Sequence, residues 1–186
     1  MTTQTQEIKM TNGVNVTQMN EVIEAVCGTP ELAKFNFRAT NQWKDGALNQ
    51  TTINSFYGTK QDIDHEKAFI LNCNEPKVLL GDDSAPNPVE YVLAGLAGCI
   101  TTTLVYHAAA RGITIEKISS SIEGNLDLHG FLGLDPNVRK GFQNIQVKFD
   151  IKSDASQEEL DDMATMSVVR DTIANAVPVS VKIEKI

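Results

Sequence analysis

The fold is decided by residues 87–111, which read NPVEYVLAGLAGCITTTLVYHAAAR. Asn87 followed by Glu90 is a capping pattern, in which each side chain can bond the backbone N–H of the other residue. Pro88 takes the first helical position, where its missing N–H has no cost, and Gly112 follows the far end. These signals predict one helix over the whole segment.

The predicted helix is apolar almost all round from Val89 to Cys99. A helix that is apolar on every face has to be buried on every face. Gly95 and Gly98 each cost about 1 kcal/mol relative to alanine, which the close approach of another backbone can offset. At 1.5 Å per residue the helix is roughly 37 Å long. One domain of this size can hardly surround it, so we expect a homodimer.

Hydrophobic periodicity divides the chain into two parts. Residues 1–34 form an N-terminal part, with a flexible tail over 1–14 and an amphipathic helix from Asn15 to Gly28. Residues 35–186 form the main domain. Its first strands are predicted at 35–43, 49–57 and 67–73, followed by a loop over 74–88.

After the helix, the pattern indicates further strands and one helical stretch. These are an extended segment at 113–128, a loop at 130–141, a strand at 145–151, a helical stretch at about 157–175 and a strand at 177–183. Ser156 and Glu159 form a second capping box, and the helical stretch is expected to break near Ser167. The chain is therefore predicted to have an α/β (α+β) fold.

Composition excludes several functional classes. The 186 residues carry a formal charge of −8, which disfavours nucleic acid and anionic membrane surfaces as partners. The apolar run from Val89 to Ile100 is too short to span a bilayer. Three widely spaced cysteines, without a Cys or His cluster, suggest neither a disulfide framework nor a metal site. We expect a cytoplasmic protein, since Met1–Lys9 lacks a signal core.

Two stretches resemble the motifs of the OsmC/Ohr family. The first is PNPVEYVLAGLAGC at residues 86–99, with its proline, glutamate, apolar run and cysteine in one helix. The second is SVVRDTIANAVPV at residues 167–179. Between them, Glu123 to Phe142 is similar to a loop found in a subgroup of OsmC-like proteins. The resemblance covers about residues 35–186.

The resemblance implies an OsmC-like two-sheet fold wrapped around a long buried central helix, in an intertwined homodimer with thiol sites at the interface. It also implies reduction of hydroperoxides without a cofactor. In that chemistry one cysteine attacks the peroxide and becomes a sulfenic acid, and a second cysteine resolves it to a disulfide. An arginine held by a glutamate activates the first cysteine.

Only part of this machinery carries over to the chain. Cys99 matches the attacking cysteine and Glu90 matches the glutamate, so these are the candidate catalytic residues. Ser167 stands where the resolving cysteine is expected, which implies a subgroup without that cysteine. The arginine position, counted back without gaps, falls on Leu79, and no arginine occurs between Lys44 and Arg111.

The candidate residues also allow structural interpretations. One alternative is that Cys99 serves only as a small buried hydrophobe, and apolar neighbours without a cation are expected to keep it a neutral thiol at pH 7. The alternative for Glu90 is that it only caps the helix. Thr102, Thr103 and Tyr106 follow Cys99 at helical spacing, so with Ser167 they could line a binding pocket or simply pack. Arg111 and Arg170 are candidate substitutes for the missing cation.

Two functional hypotheses follow. The first is a stress-related, thiol-dependent hydroperoxide reductase that uses Cys99 with an external thiol as the resolving group. The second is a non-catalytic protein that binds an apolar small molecule at the dimer interface. The absent arginine and resolving cysteine favour the second hypothesis on mechanism, and family precedent favours the first. We favour the redox role.

Overall fold

The structure is a computed structural model that describes residues 8–186. It divides into two compact units. The first unit comprises the described residues up to Met10 together with residues 15–92. The second unit comprises residues 11–14 and 93–186.

The chain begins with a small hairpin where a flexible tail was predicted. Met10–Thr11 (β1) pairs with Val14–Asn15 (β2) across a turn at Asn12 and Gly13. Both turn residues have positive φ, at 52° and 76°, which asparagine and glycine tolerate and tight hairpins require. The tail prediction was therefore wrong for residues 8–14, and its remainder, residues 1–7, lies outside the described residues.

The first unit contains the predicted N-terminal helix. Val16–Gly28 (α1) starts at Asn15, whose side chain accepts a 3.0 Å hydrogen bond from the amide of Gln18. The helix ends before a single 3-10 turn, Pro30–Ala33, because proline has no N–H with which to continue the helical ladder. These bounds confirm the predicted helix.

An antiparallel sheet forms most of the first unit. Its strands are Asn36–Phe37 (β3), Thr40–Asp45 (β4), Leu48–Gly58 (β5) and Gln61–Cys73 (β6). The central strand is β5, which pairs with β3 and β4 along one edge and with β6 along the other. Strand β6 begins at Gln61 and not at Lys67, because charged residues at alternate positions obscured its apolar face in the sequence.

One face of this sheet carries a row of rings. Phe37 lies opposite Phe56, and Phe56 lies opposite Ile63, so these three side chains share a face. Phe35, His65 and Phe69 extend the row, with contacting ring centroids 5.0–6.3 Å apart. The face is exposed, since Phe37 retains 77% of its accessible surface. This apolar face, called here the aromatic face, is exposed in the part of the chain that the structure describes.

The long helix matches its prediction at the start. Pro88–Arg111 (α2) begins with a reciprocal capping box: the Asn87 amide donates to Glu90 Oε2 at 2.8 Å, and the Glu90 amide donates to Asn87 Oδ1 at 2.9 Å. Burial is one-sided. Four side chains at intervals of four residues form a buried stripe: Leu96, Ile100, Leu104 and Ala108.

The remainder of α2 is less covered than a core helix requires. Val92 and Tyr106 are exposed in the single chain. We predicted that the apolar run is too short to span a bilayer, but α2 as a whole is long and apolar enough to do so by length and composition. Core helices of soluble proteins meet the same criterion, and the buried stripe of α2 packs in the hydrophobic core.

The second unit packs this stripe against a hairpin and a helix. Ile115–Asn125 (β7) pairs with Asn144–Ser153 (β8), and apolar side chains from alternate positions of both strands contact the α2 stripe. Met163, which is fully buried, joins the same core from Gln157–Thr165 (α4). The connection between β7 and β8, predicted as a loop, contains one helical turn, Leu128–Phe131 (α3).

Two predictions for the C-terminal part have different outcomes. The helical stretch breaks as expected near Ser167, which caps a separate short helix, Val168–Ala174 (α5). The strand predicted over 177–183 was wrong for the single chain, where residues 176–186 adopt no regular secondary structure. Val179 is 82% exposed. The alternating valines are typical of a strand, but a strand also needs a neighbouring strand to pair with, and these residues pair with none among residues 8–186.

Candidate functional site

Cys99 meets the start of α5 inside the second unit. Its side chain leaves α2 half-buried, one position before the buried Ile100. The hydroxyl of Ser167 lies 3.2 Å from Cys99 Sγ, and the backbone amide of Val169 donates to the same sulfur at 3.5 Å. Two donors from residues about 70 positions downstream therefore converge on one thiol.

The local sequence explains why these donors point at the sulfur. Ser167 ends the preceding turn in an extended conformation, with φ −68° and ψ 120°, as an N-cap residue does. The first amides of a helix have no partner within the helix. The Arg170 amide accordingly bonds Ser167 Oγ at 3.3 Å, and the Val169 amide turns to the sulfur. Ser167 itself is fully buried, with no accessible surface.

This arrangement changes the expected protonation of Cys99. Burial raises the pKa of the thiol, but hydrogen bonds from Ser167, Val169, Thr103 and Val168 together lower it below the ordinary value for cysteine. The expectation that apolar neighbours raise the pKa of Cys99 was therefore wrong in direction. Hydrogen bonds to the sulfur favour the thiolate, which is the nucleophilic form.

Neither arginine considered as a substitute for the missing cation bonds the Cys99 thiol. No arginine or lysine side chain among residues 8–186 forms a hydrogen bond to Cys99. Arg111 instead pairs with Asp162 at 2.8 Å on the surface of the second unit. Arg170 contributes a backbone amide to Ser167. The described groups that bond the Cys99 sulfur are therefore neutral donors, and none of them carries a charge.

The other predicted site residues separate into two groups. Thr103 is half-buried and supplies one of the hydrogen bonds that lower the pKa of Cys99. Thr102 and Tyr106 are exposed on α2 and form no described hydrogen bond to the sulfur. Glu90 is engaged at the start of α2, where its carboxylate accepts from the Asn87 amide.

The predicted arginine position lies in a well-ordered loop of the first unit. Leu79 is the last residue of a second short 3-10 turn, Lys77–Leu79, and Leu80 follows in a left-handed conformation with φ 68°. The buried Asn74 holds this loop through a 2.9 Å bond to Ser84 and a bond to Asp82. The position is apolar, so this loop offers no cation at Leu79 or Leu80.

Neither of the other two cysteines forms a disulfide with Cys99 in the structure. All three cysteines are free thiols, with Cys27 exposed and Cys73 half-buried. The described residues contain no group of three or more His, Cys, Asp or Glu side chains that could hold a metal.

The sequence did not reveal that backbone amides act at this site. Val168 and Val169 look like ordinary apolar residues, and only their position after a capping serine indicates that their amides are free of helical partners. The predicted break near Ser167 was the available signal. Met166 and Val168, on either side of Ser167, have exposed apolar side chains.

Comparisons with known proteins agree with this description. Residues 81–182 match the sequence model of the OsmC-like protein family. No curated protein sequence matches the chain. An OsmC-like protein from Mycoplasma pneumoniae has a similar fold, with a TM-score of 0.54 and 20% identity over 76% of this chain and 89% of its own.

Two further solved structures are similar at lower TM-scores. An organic hydroperoxide resistance protein OsmC from Legionella pneumophila has a TM-score of 0.48 and 17% identity over 75% of this chain and 90% of its own. An OsmC-like protein of unknown function from Vibrio cholerae has the same TM-score and identity, over 76% and 93%. Since the family model covers more than half of the chain and includes Cys99 and Ser167, the chain belongs to the OsmC-like family.

Proposed function

We propose that this protein is a thiol-dependent hydroperoxide reductase in which Cys99 is the attacking nucleophile. The observation that supports the proposal is the convergence of the Ser167 hydroxyl and the Val169 amide on Cys99 Sγ. Hydrogen bonds to an ionised acceptor are each worth about 1.5–3 kcal/mol, so such donors favour the thiolate over the thiol. A buried structural cysteine needs no such donors.

The reaction requires only the chain and two small molecules. The Cys99 thiolate attacks one peroxide oxygen, so an S–O bond forms, the O–O bond breaks, and the sulfur gives two electrons. The alkoxide takes a proton and leaves as an alcohol, and Cys99 becomes a sulfenic acid. Ser167 has no sulfur with which to resolve it. An external thiol therefore attacks the sulfenic sulfur and releases water, and a second thiol frees Cys99 as the mixed disulfide breaks.

A non-catalytic function is the second candidate. It is favoured by the exposed apolar side chains of Met166 and Val168, which flank Ser167, the residue that bonds Cys99. A protein of this kind would bind an apolar small molecule next to Cys99, with Thr102, Thr103 and Tyr106 along the same helix. In that case the hydrogen bonds to the sulfur would only hold the core in place.

We further propose that the working form is an intertwined homodimer. The uncovered side of α2 and the aromatic face of the sheet are both too apolar to remain in water. Their lengths match, since 24 helical residues span about 36 Å and the 13 residues of β6 about 43 Å. In a dimer, the two copies cover both of these surfaces at once, and the second copy could also provide a strand that pairs with residues 177–183.

The three free cysteines support a reducing compartment, and we assign the protein to the cytoplasm on that basis. The formal charge of −8 disfavours binding to nucleic acids and to anionic membranes, so we propose neither as a partner.

Turnover with excess thiol tests the reductase directly. The purified protein is given cumene hydroperoxide and dithiothreitol, and peroxide loss is compared between the wild type and Cys99→Ser. We expect catalytic loss of peroxide that Cys99→Ser abolishes and that Cys27→Ser leaves unchanged. Equal rates for the wild type and Cys99→Ser would support the binding protein instead.

A further inference from the structure

The first turn of α5 depends on Cys99 for its hydrogen bonding. The Val169 amide donates to the sulfur, and the Arg170 amide donates to Ser167 Oγ. The Ser167 hydroxyl itself donates to the sulfur at 3.2 Å. The N-terminal amides that the helix cannot satisfy are thus satisfied by Cys99, either directly or through one serine.

This helix has little other support. It contains seven residues, and none of them is fully buried. Isolated helices shorter than about 12 residues are marginal in water, so the caps and the packing of Val169 on the core are what stabilise α5. The chain then continues into residues 176–186, which have no regular secondary structure.

We propose that the oxidation state of Cys99 controls the stability of α5, which makes the C-terminal part of the chain, residues 168–186, a redox-sensitive element. The inference rests on the proposed function for its physiological oxidant, an organic hydroperoxide. When the sulfur gives two electrons and gains an oxygen, the neutral sulfenic acid replaces the thiolate. Its sulfur is a far weaker acceptor for the Ser167 hydroxyl and the Val169 amide.

Burial prevents water from replacing the lost acceptor. Ser167 has no accessible surface, so its hydroxyl cannot turn to solvent while α5 stays in place. A buried donor without a partner destabilises the state that contains it. Opening of α5 relieves this by bringing the hydroxyl and the first amides into water. Oxidation of Cys99 therefore favours the open state of residues 168–186.

Hydrogen exchange read by mass spectrometry tests the coupling. The full-length protein is measured reduced and after one equivalent of cumene hydroperoxide, with Cys99→Ser treated in the same way. We expect the amides of residues 168–174 to exchange at least about fivefold faster once Cys99 is oxidised. This factor corresponds to the lower end of the free-energy cost of leaving a buried donor without a partner. The hairpin of β7 and β8 and the Cys99→Ser protein should not change.

A second reagent separates this coupling from the peroxidase activity. Methyl methanethiosulfonate transfers a methylthio group to the Cys99 thiolate with loss of methanesulfinate, so it removes the anionic acceptor without any peroxide. If α5 loosens with this reagent while peroxide leaves Cys99 unmodified, the coupling holds and the proposed function fails. The extent of Cys99 modification is verified by mass. If the exchange rates of residues 168–174 in the modified protein stay within twofold of those in the reduced protein, the coupling is overturned.

Discussion

Replacing Ser167 with alanine removes the shortest hydrogen bond to the Cys99 sulfur. The bond is 3.2 Å long and its donor is fully buried. A hydrogen bond to a charged group is worth about 1.5–3 kcal/mol. Cys99 is only half-buried, and water can replace part of the lost interaction. We therefore expect Ser167→Ala to raise the pKa of Cys99 and to slow its alkylation at pH of about 6 by roughly tenfold.

The rate of alkylation by iodoacetamide, measured on the Cys99 peptide between pH 5 and 10, gives this pKa. The thiolate is the reactive form, so the rate should rise to half its maximum below pH of about 8.5, the value for free cysteine, in the wild type. Ser167→Thr keeps the hydroxyl and serves as the matched control, with a midpoint near that of the wild type. An unchanged midpoint in Ser167→Ala would refute the view that Ser167 activates the thiol.

Four further outcomes follow from the structure. Ser167→Cys should form a disulfide with Cys99 after one equivalent of hydroperoxide, seen as a loss of two hydrogens by mass spectrometry, because Ser167 Oγ already lies 3.2 Å from Sγ. Light scattering should give twice the 20.3 kDa chain mass, and Phe37→Asp on the aromatic face should reduce it, whereas Asn36→Asp on the opposite face should not. Asn12→Ala should destabilise the second unit by about 1–3 kcal/mol in urea unfolding, because Asn12 bonds the Ile113 carbonyl at 2.9 Å and the Ile115 amide at 2.8 Å. Hydrogen bonds from Ser156 lower the pKa of Glu159 in the folded protein. The ionised carboxylate should therefore stabilise the fold above pH of about 4.3, and this stabilisation should be lost as the pH falls through the pKa of Glu159 in the folded protein. Glu159→Gln should remove this pH dependence, as read by urea unfolding at several pH values.

Elements with local signals could be predicted from the sequence. The start of α2 was predicted because Asn87, Pro88 and Glu90 lie in the order that a capping box requires. The break before α5 was predicted at Ser167 for a similar reason. Strand β6 was predicted only in its second half, because Asp62, Asp64 and Glu66 alternate with its apolar face and made the first half appear polar.

Features that depend on distant contacts could not be predicted. The pKa of Cys99 was expected to rise because its neighbours on α2 are apolar, yet the groups that lower it come largely from the start of α5. Hydrophobic periodicity contains no information about backbone amides. Residues 177–183 have the pattern of a strand, but the pattern does not identify the strand that would pair with them, and the described part of the chain contains no such strand.

The most direct test of the account is the mass of the Cys99 peptide after one equivalent of cumene hydroperoxide. The account predicts that Cys99 gains one oxygen, or the added thiol when one is present, and that the Cys27 and Cys73 peptides are unchanged. The reason is that, among the described residues, hydrogen-bond donors converge on the sulfur of Cys99 and not on those of Cys27 and Cys73. A folded, dimeric protein whose Cys99 stays unmodified while its exposed Cys27 is oxidised would contradict it.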